Sequence, residues 1–101
     1  MLTRAYKTAA TEVQTTGSVT IANAVTGQRI EVAFALVTRN AGSTNHVKMK
    51  FGSRIILSSS TDVVPYASGG PFLADEGENL TIEVGAATTG NYAITWRYIP
   101  A

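Results

Sequence analysis

The stretch Gly90–Pro100, GNYAITWRYIP, decides the fold. Read in steps of two, it places Tyr92, Ile94, Trp96 and Tyr98 on one side and Ala93, Thr95, Arg97 and Ile99 on the other, because successive side chains of a strand point to opposite faces of its sheet. A helix would need apolar residues every three or four positions. Here the alternation is strict and the residues favour strands. The segment is predicted to be a mid-sheet strand with one heavily buried face that seals a core. The face bearing Arg97 and Ile99 meets either water or another chain.

The same reading extends back along the chain. RIEVAFALVT, 29–38, puts Ile30, Val32, Phe34 and Leu36 on one face and Arg29, Glu31, Ala33, Ala35 and Val37 on the other. NLTIEV turns Leu80, Ile82 and Val84 inward, SVTIA turns Val19 and Ile21 inward, and HVKMKF turns Val47, Met49 and Phe51 inward with His46, Lys48 and Lys50 outward. These read as half-buried strands of antiparallel sheets. Turn clusters separate them: TTG, VTGQ, RNAGSTN, SSST, ASGGP and DEGEN. No segment longer than a turn or two reads as a helix.

The FGSR corner, 51–54, gives a sharper expectation, since facing residues of a hairpin share a face. A two-residue loop of Gly52 and Ser53 pairs inward Phe51 with Arg54 and outward Lys50 with Ile55. A three-residue loop, 52–54, pairs Phe51 with Ile55 and Met49 with Leu57 and keeps all four inside. The three-residue loop is therefore expected, and it sends Ile56 outward. The outward set then contains Ala33, Ala35, Val37, Ile56, Ala93 and Ile99, which would form a contact surface if they are contiguous.

Seven or eight short strands with turns between them predict an all-β chain, a single antiparallel β-sandwich over 12–101. Without the Cys–Trp–Cys pattern of immunoglobulin domains, a jelly-roll-like arrangement is expected. Residues 1–11 alternate little and read as an extended N-terminal arm, with Arg4, Tyr6 and Lys7 as candidate partner-binding residues. Fully extended, such an arm spans roughly 35 Å.

Composition narrows the function classes. The 101 residues are 45% hydrophobic and 15% charged, with no cysteine, enough for one core without disulfide support. Disulfides and thiolate chemistry are excluded. No run of about 18 apolar residues exists, and the start, MLTRAYKTAA, lacks the apolar centre of a secretory signal, so the protein is expected to be made and kept in a cytoplasm. The net charge is +1, and the charges are segregated along the sequence. Arg39, Lys48, Lys50 and Arg54 follow one another without an acid between them, whereas 55–96 carries Asp62, Asp75, Glu76, Glu78 and Glu83 and no lysine or arginine. Folding can turn this into a basic and an acidic patch, suited to copies meeting one another, or can interleave the charges on a solvated surface.

Reactive groups are scarce. His46 is the only histidine and sits beside Lys48 with no carboxylate to orient it. There is no G-x-S-x-G elbow and no phosphate-cradling glycine loop. Asp75, Glu76 and Glu78 in DEGEN supply carboxylates that calcium favours, but their spacing is not that of an EF-hand and suits an ordinary exposed turn. Asn79 matches a glycosylation sequon, which without an export signal is incidental. Nucleic-acid binding finds only Lys48, Lys50, Arg54 and His46 in its favour. No catalytic residue, cofactor, metal, membrane or small-molecule substrate is therefore assigned.

Three pieces carry a resemblance: AVTGQRIEV leading into a long strand, GGPFLADEGENLTIEVG as a loop and acidic turn before a strand, and the aromatic closing strand. From about Thr11 onward the chain resembles small β-sandwich decoration or minor structural proteins of tailed-bacteriophage virions. The resemblance implies an architectural role without catalysis. It also implies homotrimers, binding to a major capsid protein or another virion protein, and terminal arms that reach neighbours. The segment NHVKMKFGSRIIL is more basic than in such proteins. A different role, a receptor- or carbohydrate-binding tip of a fibre, would draw on Tyr66, Asn91 and the YASGGPF loop.

Overall fold

Period-two alternation gives eight strands and no helix among the described residues: β1 Lys7–Val13, β2 Gly17–Ala22, β3 Gln28–Arg39, β4 Val47–Phe51, β5 Arg54–Ser59, β6 Tyr66–Leu73, β7 Leu80–Val84 and β8 Gly90–Pro100. The computed structural model describes residues 5–13, 16–40, 43, 45–59 and 66–101, with the backbone alone at 11–13 and 66–69. The strands form two antiparallel sheets, one in the order β1-β8-β3-β6 and the other β2-β7-β4-β5. Only β4 and β5 are joined as a hairpin within one sheet; every other connection crosses between sheets. Eight strands so ordered make a jelly roll.

The inward faces meet in one core of Ile30, Val32, Ala35, Val37, Val47, Met49, Phe51, Leu57, Leu80, Ile82, Val84, Tyr92, Ile94 and Trp96, with Ala22 and Ala74. Burying each large aliphatic or aromatic member contributes about 1.5–3 kcal/mol relative to leaving it in water. Strand β8 lies between β1 and β3, so its aromatic face closes the core along the middle of its sheet. Trp96 and Tyr98 meet edge to face, with centroids 5.2 Å apart, an arrangement that ring quadrupoles favour.

Strand β3 departs from the expected parity. It pairs with β8 as Val32↔Trp96 and then Phe34↔Thr95, leaving Ala33 as one extra residue. Such a bulge shifts every later side chain to the opposite face. Ile30 and Val32 point inward as expected, but beyond the bulge Ala35 and Val37 are fully buried, and Phe34 is 42% exposed. Ala35 and Val37, expected on the outer contact surface, therefore belong to the core. Ala33 itself is half-buried. On the other side of β3, Gly70 of β6 faces the bulge, and a Cβ there would lie 2.2 Å from the Val32 carbonyl oxygen. Only glycine lets the two backbones approach that closely.

The FGSR corner also differs from expectation. The loop is the two-residue Gly52-Ser53, with Phe51↔Arg54 and Lys50↔Ile55 paired. Gly52 has φ 56°, the positive value that the first position of a II′ hairpin turn requires. The parity conflict is relieved by a register shift that restores Met49↔Leu57. Arg54 can take an inward position because it stands at the sheet's end, its guanidinium 5.8 Å from the Phe51 ring centroid. Ile55 is 54% exposed, and Ile56, expected outward, is half-buried and packs against the core.

Residues 7–11 of the expected arm are the first part of β1, paired residue for residue with β8 from Lys7↔Trp96 to Thr11↔Tyr92. Thr8, Ala9 and Ala10 have short side chains, so pairing of the backbone with β8 rather than an alternating apolar face holds them, which is why little periodicity is visible there.

The bulge carries an expected outcome opposite to uninterrupted alternation. Ala35→Glu, which buries a charge, should cost about 4 kcal/mol or more and leave the chain largely unfolded. Phe34→Gln should stay within about 1 kcal/mol of the native chain. Urea unfolding followed by tryptophan fluorescence distinguishes the two.

Candidate interaction surface

The two outer faces of the sandwich differ in chemistry because the strands beneath them carry different outward residues. On the β2-β7-β4-β5 sheet the outward positions include Ser18, Thr20, Thr81, Glu83, Lys48 and Lys50. Glu83 lies between the two lysines, 3.0 Å from Lys50 Nζ and 4.0 Å from Lys48 Nζ. This face is mostly polar, with Glu83 shared between two lysines, and it carries exposed Ile55 opposite Lys50.

On the β1-β8-β3-β6 sheet the register lines up outward residues in rows across the strands. Ala10, Ala93 and Leu36 form one row, Thr8, Thr95 and Phe34 the next, and Arg97 and Glu31 with Leu73 a third. Ile99 stands opposite Arg29 in a fourth. Phe34 and Leu73 are 42% and 39% exposed, and Leu36, Ala93, Thr95 and Ile99 are half-buried. This apolar sheet face, with Phe34 protruding beside Leu36, Leu73 and Ile99, is the candidate contact surface.

Its charged row is self-contained. Arg97 Nε donates to Glu31 Oε1 at 2.8 Å, and the Tyr6 hydroxyl donates to the same oxygen at 2.6 Å. The Arg97 guanidinium carbon lies 4.4 Å from the Tyr6 ring centroid, within cation–π range. Tyr6 thus bridges from the β1 edge across β8 to β3. The phenol's hydrogen bond holds the Glu31 carboxyl below its ordinary 4.5, and Arg97 adds to that, while partial burial opposes it. The same hydrogen bond, with desolvation, raises the Tyr6 hydroxyl above 10.0 against the pull of Arg97.

Lys7 lies at the inward parity of the edge strand and snorkels outward, its ammonium 5.2 Å from the Trp96 ring and 5.9 Å from the Tyr98 ring. Tyr6 and Lys7, expected on an arm reaching a neighbour, are both engaged by their own sheet. Arg4 lies outside the described residues. Ile99 is on the outer face as expected, whereas Ala35, Val37 and Ile56 are not. The surface instead gains Phe34, Leu36 and Leu73. The signal for this exchange was the SGGP run in β6, since glycine inside a strand marks a bulge or a close backbone approach.

The DEGEN turn distributes its carboxylates rather than gathering them. Asp75 Oδ1 is 3.5 Å from Arg29, and Glu76 accepts from the Gly27 amide. Glu78 takes a two-pronged contact from Arg54, with Nε to Oε2 at 2.9 Å, and accepts the Asp75 amide at 2.7 Å. Arg54 is the main cause of a Glu78 pKa held below 4.5, opposed by desolvation and aided by the Asp75 amide. Asn79 accepts the Ala24 amide at 2.6 Å. No group of three His, Cys, Asp or Glu able to hold a metal occurs among the described residues. His46 is half-buried before β4, its carbonyl accepting the Gly85 amide at 3.0 Å. Of the fibre-tip candidates, Asn91 is exposed at the start of β8, and the Tyr66 side chain lies outside the description.

The pH dependence follows from these contacts. Glu31 and Glu78 have folded values below their unfolded 4.5, so their stabilisation is complete above that value and is lost as pH falls through the folded values. Tyr6 has a folded value above 10.0, so its contribution is complete below that pH and is lost as pH rises through the folded value. Glu31→Gln should lower the melting temperature at pH 7 and flatten its acid decline, and Tyr6→Phe should abolish the alkaline loss that Tyr6 causes; thermal melts between pH 2.5 and pH 11 (roughly the span of these titrations) measure both. No protein-family model, curated protein or solved structure matches this chain.

Proposed function

We propose that the chain is a non-enzymatic structural subunit of a tailed-phage virion, which self-associates and binds a major capsid protein or another repeating virion protein. The observation that carries this reading is the asymmetry of the sandwich. One outer face carries Lys48, Lys50 and Glu83 among serine and threonine, with Ile55 as its exposed large apolar side chain among the described residues. The other presents Phe34 and Leu73 in the open beside Leu36, Ala93 and Ile99.

Charge use supports the same role. Glu31, Asp75, Glu76, Glu78 and Glu83 all serve ion pairs or backbone amides, so these carboxylates hold strands and turns together. The jelly roll is common to capsid and lectin domains. By itself this is an analogy, since fold does not determine function. The sequence resemblance favours the virion side of it. A subunit that binds a lattice through a modest apolar face gains from repetition, because many weak contacts on one particle act together.

Incubation with phage heads lacking their accessory proteins, followed by co-sedimentation and electron microscopy, tests the proposal. Saturable occupancy at symmetry-related positions is expected, and Phe34→Asp should reduce it at least about tenfold. Absence of binding to heads, tails and fibres alike would remove the proposal.

A further inference from the structure

The outer face of the β1-β8-β3-β6 sheet divides along its midline into two halves that complement each other. On β3 the outward residues of the central rows are large, Phe34 and Leu36. Their direct neighbours on β8, Thr95 and Ala93, are small. In the next row β3 carries the anion, Glu31, and β8 carries the cation, Arg97. The flanking strands continue the match, with exposed Leu73 on β6 and exposed Tyr6 ahead of β1.

We infer that this face binds a second copy of itself, sheet against sheet, about a two-fold axis lying in the contact plane along the boundary between β3 and β8. Such an axis exchanges β3 with β8 and β6 with β1. It sets Phe34 on the second copy's Thr95, Leu36 on its Ala93, Leu73 beside its Tyr6, and Glu31 against its Arg97. In the two central rows a large side chain meets a small one, in the next row each charge meets its opposite, and in the fourth Arg29 meets the second copy's Ile99. An isologous contact requires that self-complementarity. Residues Ala93 and Thr95 allow close approach, sheets stacked face to face lie about 10 Å apart, and the axis keeps β3 of one copy aligned with β8 of the other.

The size of the face fits. Four strands spaced about 4.8 Å, with outward rows covering roughly 30 Å of strand, project on the order of 600 Å². The accessible area of such a corrugated surface approaches the roughly 800 Å² per partner of a standard interface. The Arg97–Glu31 pairs of two copies would form a four-charge cluster of alternating sign, which sets register more than affinity.

This inference rests on the reading that copies of the chain self-associate, and it specifies how. The test uses sedimentation velocity on the full chain and on variants whose circular dichroism and melting are unchanged. The native chain should sediment as a dimer. Phe34→Lys and Thr95→Glu should each weaken the dimer at least about tenfold, and Thr20→Glu, on the opposite outer face, should leave it intact. Mixing the Phe34→Lys chain with the Thr95→Glu chain should restore a dimer, because the introduced lysine of one copy then meets the introduced carboxylate of the other. If either variant misfolds, Leu36→Lys mixed with Ala93→Glu makes the same test.

A chain that stays monomeric up to about 1 mM, a trimer, a dimer indifferent to these substitutions, or a mixture that does not re-form the dimer overturns the inference. Head binding by a monomer or a trimer would leave the structural role standing and remove only this mode of pairing.

Discussion

The antiparallel pairing of β3 with β8, interrupted by the single extra residue Ala33, sets what this sandwich buries and what it shows. These two strands are the longest and sit side by side in the middle of one sheet. Before the bulge, β3 contributes Ile30 and Val32 to the core; after it, Ala35 and Val37. The strand is thereby thin on its inner side where Tyr92, Ile94 and Trp96 of β8 need room, and bulky on its outer side. The close approach of Gly70 from β6 completes this arrangement. One inserted residue thus moves Phe34 and Leu36 from the interior, where uninterrupted alternation would leave them, to the surface.

Electrostatics in this chain joins elements that the jelly roll brings together from distant parts of the sequence. The turn 75–79 lies between β6 and β7, yet its side chains hold Arg29 of β3, the Gly27 and Ala24 amides of the preceding loop, and Arg54 of the β4–β5 hairpin. The Gly52 amide adds a bond to the Asn79 carbonyl at 2.9 Å. Half-exposed ion pairs are individually weak. Here they act with backbone hydrogen bonds at one end of the sandwich, where strand ends would otherwise leave polar groups unpaired. Charges segregated in the sequence end interleaved, because strands crossing between sheets place early cations beside late anions.

The same topology gives the two outer faces different chemistry. Lysines, threonines and the exposed Ile55 cover one sheet, and the other keeps its charges paired and presents several apolar residues together. A face with paired charges can meet another protein without leaving a lone ion desolvated, the main cost of burying charge at a contact. Tyr6 extends this by tying the start of β1 to Glu31 and Arg97, so the edge strand and the apolar rows behave as one surface.

By itself the sequence determined the class of the fold, the position of β8 and the inward faces of β4, β7 and β8, because period-two alternation is a local property that survives wherever a strand pairs regularly. It also showed how few reactive residues the chain carries. Only the tertiary structure decided the outward face of β3, the two-residue turn at Gly52 and the strand character of 7–11. In each case a neighbouring strand made the choice: the bulge at Ala33 is defined against β8 and accommodated by Gly70, the shift beyond Gly52 is set by Leu57 returning to the core, and β1 is held by the backbone of β8. Parity read along one strand cannot register an insertion that exists only relative to its partner, and the surface residues followed that insertion.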